Sequence, residues 1–178
     1  MTDVNADLWM KSVIGKDMTQ SEANELFLAS ARESYQSNDF LFREHDEAHA
    51  FFLLVSGEVD IEKTNERKET TRITRLGPGA IIGEMSLLTS ENRSASARVL
   101  HDDTTVLKVK WKEMDRMLQD DSFTAYKIMR ALARLLAYRL KQINLKVVEL
   151  HNKPMEGDGR KLEEFTKFKQ KLFQDWSF

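Results

Sequence analysis

One stretch of the sequence combines residue types suited to chemistry. It runs Leu76-Gly77-Pro78-Gly79-Ala80-Ile81-Ile82-Gly83-Glu84-Met85-Ser86-Leu87-Leu88, then Thr89 to Asn92, then Arg93-Ser94-Ala95. Two glycines set a tight bend, an apolar pair enters a core, and Gly83-Glu84 opens a short apolar turn of helix. Backbone N–H groups at such a start bind an anion, and glycine lets a ligand approach the main chain. Arg93, nine residues after Glu84, brings a fork-shaped cation to the same spot, and Arg suits phosphate through two parallel hydrogen bonds. A carboxylate beside an anion site is better matched to hydroxyls, and a vicinal sugar hydroxyl is the natural candidate. Together these groups fit a phosphorylated sugar with a free hydroxyl, enclosed in apolar walls. The competing reading is a structural ion pair, Glu84 with Arg93, in an empty site.

Other chemistry has little to build on. There is no cysteine among the 178 residues, so disulfides, thiolate zinc sites and a Cys nucleophile are excluded. His45, Asp46 and His49 fall in a predicted turn and strand edge with no evident third ligand, so no metal is expected. Four scattered histidines offer no nucleophile–base arrangement. The chain is not expected to be an enzyme or to carry a resident cofactor. Its net charge of −2 is less basic than binding through nucleic-acid phosphates usually requires. The longest clean apolar run, Ala50 to Val55, is far short of the roughly 20 residues of a membrane span. The N-terminus lacks a signal-peptide pattern. The expectation is a cytoplasmic protein that binds neither DNA nor membrane.

The elements that must position the site can be read from pattern. Asp17 to about Ser34 is helical in spacing, and Met18-Thr19-Gln20-Ser21-Glu22 resembles a capped start. Short apolar or alternating runs follow: Phe40–Arg43, Ala50–Ser56, Val59–Lys63, Thr70–Leu76, Ser96–Leu100 and Thr105–Lys110. Their even spacing predicts an antiparallel barrel or sandwich. Trp111–Leu118 reads as a short helix. Ser122 to about Leu150 reads as one long helix with no Gly or Pro, about 43 Å long. Leu140, Ile143, Val147 and Leu150 continue a stripe from Met129, Leu132 and Leu136 at heptad spacing. That stripe needs cover, either a twin helix in a parallel dimer or the chain's own tail. His151 to Arg160 reads as a linker. Leu162, Phe165, Phe168, Leu172, Phe173 and Trp176 form an apolar stripe on a last helix, which must dock on the strand domain, the long helix or another protein.

Charge is unevenly placed. Residues 1–50 hold 10 acidic and 4 basic side chains, a net of −6. Residues 122–150 hold 6 basic and 1 acidic, a net of +5. This is either a solvated helix face or an electrostatic contact with a partner or anionic ligand.

Gly83-Glu84-Met85-Ser86-Leu87, followed by Arg93-Ser94-Ala95, resembles the phosphate-binding cassette of the cyclic nucleotide-binding domain family, of the catabolite activator protein and protein kinase A regulatory subunit type. Ser56-Gly57-Glu58-Val59 matches that family's Ser-Gly-x-Val turn. The resemblance covers roughly residues 20–150 and includes the order of elements. It implies a mainly β fold with flanking helices, an antiparallel β-roll (jelly roll) carrying the cassette, a long C-helix and here a short tail helix. The corresponding division is residues 1–36, an N-terminal helical segment; 37–118, the β-roll; 119–150, hinge and long helix; and 151–178, linker and tail.

Carried over residue by residue, the resemblance implies that Glu84 accepts the ribose 2′-hydroxyl and Arg93 pairs with the cyclic phosphate. The N–H groups of Met85 and Ser86 complete the cradle, which Gly83 permits. Ser94 can reach phosphate or base. Ile61, Ile73, Leu76 and Ile82 are walls, and Arg139 and Asn144 of the long helix face the base. Ser94 leaves the base open, with cyclic AMP favoured over cyclic GMP. One departure falls in Phe42-Arg43-Glu44-His45-Asp46, where the family usually has Gly at the position of His45, so His45 needs positive φ.

The 28 residues after Leu150 hold one helical pattern, whereas a helix-turn-helix needs two helices. The expected function is a stand-alone cyclic nucleotide sensor. Ligand binding moves the long helix and tail about a hinge near Asp120-Asp121 to regulate an unidentified protein partner, with a homodimer through the long helix possible. The alternative is a ligand-free interaction or scaffold module.

Overall fold

A computed structural model of the chain describes residues 3–65 and 67–152. It divides into two units, residues 1–137 and 138–178. The element order is α1 (Asp3–Lys11), α2 (Gln20–Leu28), β1 (Ser30–Tyr35), β2 (Phe40–Phe42), β3 (Ala50–Ser56), β4 (Val59–Thr64), β5 (Thr70–Leu76), β6 (Ile81–Ile82), α3 (Met85–Thr89), β7 (Ser96–Val99), β8 (Thr104–Lys110), α4 (Trp111–Gln119) and α5 (Phe123–Asn152).

In the first unit the strands form two four-stranded antiparallel sheets, ordered β1-β8-β3-β6 and β2-β7-β4-β5. This is the expected β-roll. β3 shows why its sequence is an unbroken apolar run: both faces are covered. Phe51 and Leu53 join a core with Trp9, Leu26, Leu107, Val109, Met114, Ile128 and Leu132, between the first sheet and the helices. Phe52 and Leu54 alternate to the other side, where Leu41, Val59, Ala97, Val99 and Val106 fill the roll interior. Ile81 and Ile82 divide in the same way between the two cores.

α2 begins with the cap expected from its sequence. The Thr19 N–H donates to Glu22 Oε2 at 2.7 Å, and the Glu22 N–H donates to Thr19 Oγ1 at 3.4 Å. The predicted run of this helix to Ser34 is corrected. It stops at Leu28, and Ser30–Tyr35 is a strand in register with Val109–Thr104 of β8. Pairing with β8 overrides a weak helical preference. α1 falls in the expected N-terminal helical segment, although the residue pattern did not mark its bounds, and it supplies Trp9, fully buried and edge-on to Phe51 at 6.2 Å.

Part of the uneven charge is paired within the unit. Lys127 Nζ lies 2.8 Å from Glu22, and Arg134 Nη1 lies 3.1 Å from Asp17. Ser122 Oγ donates to Glu25 at 2.7 Å, and Thr124 Oγ1 donates to the same carboxylate. The basic start of α5 therefore meets the acidic N-terminal segment. The hydrogen bond from Lys127, with that from the Thr19 N–H, holds the Glu22 carboxyl below its usual range. The turn from α4 to α5 passes through Asp121 in the left-handed region, φ 53°.

In the second unit α5 continues to Asn152, so the predicted linker begins later than His151. Leu140 and Ile143 of the heptad stripe are exposed. The predicted tail helix lies outside the described residues. Among the described residues, no helix is long and apolar enough to cross a membrane, and no cluster of three His, Asp or Glu side chains is placed to hold a metal.

His45 has φ 70°, as its place in the turn required, and its side chain is exposed. A non-glycine residue in this region costs on the order of 1 kcal/mol. His45→Gly is therefore expected to stabilise the chain by up to about 1 kcal/mol, less the extra backbone entropy glycine loses. A urea titration with unchanged slope and a raised midpoint would show it. A lowered midpoint would mean that the imidazole makes a contact worth more than the strain.

Candidate functional site

The site is built where β6, α3 and the segment entering β7 meet the β2–β3 turn. β6 drives Ile82 into the roll interior, and the chain then turns through Gly83 at φ 81°. Glu84 precedes α3 with helical φ and ψ and is 2% exposed. The N–H groups of Met85 and Ser86 lie in the first turn of α3, with the Met85 side chain exposed and Ser86 buried. Ser86 Oγ donates to the Asn92 carbonyl at 3.4 Å, across the cassette.

Arg93 is brought to Gly83 as the spacing predicted, and it is 4% exposed. Its Nη1 donates to the Gly83 carbonyl at 2.8 Å and its Nη2 to the Ala50 carbonyl at 2.6 Å. The guanidinium lies over the Phe42 ring, 4.1 Å from the centroid. Its Nε is buried without a hydrogen-bond partner. Burial pushes the Arg93 pKa down to about 10, against the opposing pull of the Asp46 and Glu84 carboxylates. It remains a cation at neutral pH. A buried donor left unpaired costs about 1–3 kcal/mol, so such groups are uncommon and call for an explanation.

The backbone of Arg93 is clasped as well. Its N–H donates to the Asp46 carbonyl at 2.9 Å, and its own carbonyl accepts from the His45 N–H at 2.8 Å. The Ser94 side chain is exposed, and its carbonyl accepts from Lys63 Nζ at 3.4 Å. Phe42, the Ala50 carbonyl and Asp46 were not anticipated as parts of the site. Phe42 and Asp46 were legible as turn residues, whereas a backbone carbonyl has no sequence signature.

Of the expected apolar walls, Ile82 is buried, and Ile61 and Leu76 are half-buried against the interior cluster. Ile73 is different. It occupies an irregularity in the β4–β5 register, where Ile61 faces Thr74 and Glu62 faces Arg72, and it is 59% exposed. The extra residue leaves the Ile73 side chain outside the inward alternation of the strand, so the wall position that the resemblance implies is an exposed one here. Arg139 and Asn144 belong to the second unit, on the distal part of α5. An open cleft of about 410 Å³ lies on another side of the cassette, between Glu47–His49, Ser86, Ser90–Asn92, Trp111 and Asp115, and is not lined by Glu84 or Arg93.

The arrangement offers a buried cation with an unused donor, a buried carboxylate and main-chain N–H groups at one place, beside an apolar interior. Residues 32–121 match the family model described as the cyclic nucleotide-binding domain. The chain belongs to the cyclic nucleotide-binding domain family. The matched segment of this cyclic nucleotide-binding domain runs from β1 to the α4–α5 turn and contains the whole cassette. The chain is 33% identical over 116 residues to the cyclic AMP receptor protein of Thermus thermophilus, which is 65% of this chain and 51% of that protein. It is 30% identical over 141 residues to the anaerobic regulatory protein of Bacillus subtilis, 77% of this chain and 57% of that one. The chain thus spans little more than half the length of these two relatives. Among solved structures, the catabolite activator protein of Thermus thermophilus matches with a TM-score of 0.70 and 28% identity, over 79% of this chain and 63% of that one. A cyclic nucleotide-binding domain from Methylobacillus flagellatus matches in fold with a TM-score of 0.76 and 22% identity, over 89% and 88%.

Proposed function

We propose that this chain is a regulatory sensor that binds a purine nucleoside 3′,5′-cyclic monophosphate, cyclic AMP in preference to cyclic GMP, and acts by binding rather than catalysis. The observation that carries the proposal is the Arg93 guanidinium, buried and charged, with Nε unpaired beside the buried Glu84. In this reading Arg93 pairs with the cyclic phosphate and Glu84 accepts the ribose 2′-hydroxyl. The N–H groups of Met85 and Ser86 add donors to the phosphate, and Ser94 meets phosphate or base. Ile61, Leu76 and Ile82 line the sugar and base, with Ile73 at the rim. The preference for adenine rests on the relative named as a cyclic AMP receptor.

Binding changes the pose of α5 about the turn at Asp121, and a protein partner reads the change. Ligand shifts such an equilibrium only by its differential affinity for the two poses. The exposed Leu140 and Ile143 suit a second copy of the helix, so the sensor works as a homodimer in this reading.

The competing scaffold reading draws on the two carbonyls that already hold Arg93 Nη1 and Nη2. Thermal melts separate the two. A nucleotide at 100 times its dissociation constant adds about 2.7 kcal/mol of stability. Cyclic AMP is expected to raise the melting temperature, with a smaller rise for cyclic GMP at equal concentration. No shift with either nucleotide would leave the scaffold reading.

A further inference from the structure

The Arg93 side chain is held at three points, and only two of them are hydrogen bonds. The third is the Phe42 ring, 4.1 Å below Cζ. This ring is itself fixed. It packs against Phe52 at 5.9 Å between centroids. Its backbone leads directly into a turn closed by the Arg43 N–H donating to Asp46 Oδ2 at 2.7 Å and the Asp46 N–H donating to the Arg43 carbonyl at 3.2 Å. The same turn grips the Arg93 main chain through His45 and Asp46. Phe42 also stands 3.0 Å from where a side-chain carbon on Gly83 would lie. One aromatic ring therefore touches the arginine and borders the glycine that opens the cassette.

We propose that Phe42 is a positioning residue for the anion site: its ring fixes the plane of the Arg93 guanidinium, and hence the direction in which the unpaired Nε–H is offered to a phosphate. The inference rests on the nucleotide-binding reading and adds a residue to it. A guanidinium carbon held 4.1 Å from an aromatic centroid is attracted by the ring quadrupole, more strongly when water is excluded, as it is around the buried Arg93. The face contact leaves the in-plane donors available, so the ring orients the cation without consuming a hydrogen bond. A leucine of similar bulk would fill the space but give the plane no preferred orientation.

The test measures cyclic AMP binding by calorimetry for wild type, Phe42→Leu, Phe42→Tyr and a double-mutant cycle with Arg93→Gln. Phe42→Leu is expected to weaken binding about tenfold, and Phe42→Tyr, which keeps the six-membered ring, to stay within about threefold of wild type. In the Arg93→Gln background, Phe42→Leu should change affinity by less than about twofold, because the partner of the ring is gone. A general packing role would not produce that coupling. Wild-type affinity in Phe42→Leu, or an equal loss in both backgrounds, would overturn the inference while leaving nucleotide binding intact. Absence of wild-type binding would instead overturn the reading on which it rests. A measurement without variants guards against failure to fold: the Arg93 Hε proton resonance of the wild type should be displaced upfield by the ring. An unshifted resonance would also count against Phe42.

Discussion

Arg93→Ala is expected to lower affinity for cyclic AMP about 10- to 150-fold while the chain stays folded. A charge-assisted hydrogen bond contributes about 1.5–3 kcal/mol, which converts to that range. The structure explains why the loss should appear in binding more than in stability. Arg93 donates to the carbonyls of Gly83 and Ala50, so its removal forfeits two hydrogen bonds of about 0.5–1.5 kcal/mol each. It also removes a desolvated charge and a buried Nε that has no partner, and taking away an unsatisfied buried group returns much of that cost. Folding should therefore change by no more than about 2 kcal/mol, checked by circular dichroism and urea titration alongside calorimetry. Equal dissociation constants for wild type and variant would remove Arg93 from the site.

Gly83→Ala should damage both properties. The residue has φ 81°, a region that costs a residue with a side chain roughly 1–2 kcal/mol. The added carbon would also collide with Arg93 Nη1 and lie 3.0 Å from Phe42 Cε1. An arginine is usually able to swing aside, but here its guanidinium is pinned by two carbonyls and the Phe42 ring. Relief requires breaking the Nη1 bond or tilting the ring, and either moves the cation from its place. The expected result is a loss of about 1–3 kcal/mol in stability and at least about tenfold in cyclic AMP affinity. Urea titration and calorimetry on the same preparation measure the two. A variant as stable and as tight as wild type would mean that the cassette backbone has freedom this geometry does not allow for.

The contrast between these residues and their surroundings shows what a sequence can disclose. Glu84 and Arg93 were legible because each side chain advertises its chemistry and their spacing fits one loop. The strands from β2 to β5 were legible because buried strands must be apolar or alternating. β1 was not, because Ser30–Tyr35 contains ordinary helix formers and its identity comes from pairing with β8, more than 60 residues away. Ile73 was expected as a wall from the resemblance alone, and the register shift between β4 and β5 that leaves it exposed has no signature in the sequence. The hold of Ala50 on Arg93 spans 43 positions and uses a main-chain carbonyl, a group every residue has. The opposed charges of residues 1–50 and 122–150 were visible as totals. Their pairing, Asp17 with Arg134 and Glu22 with Lys127, needed the fold.

The most direct measurement is a crystal structure determined with cyclic AMP. It is expected to show a phosphate oxygen within hydrogen-bond distance of Arg93 and the ribose 2′-hydroxyl on Glu84, with the base against Ile61 and Leu76. A roll interior closed by the protein's own side chains, with the nucleotide absent or seated elsewhere, would contradict the account.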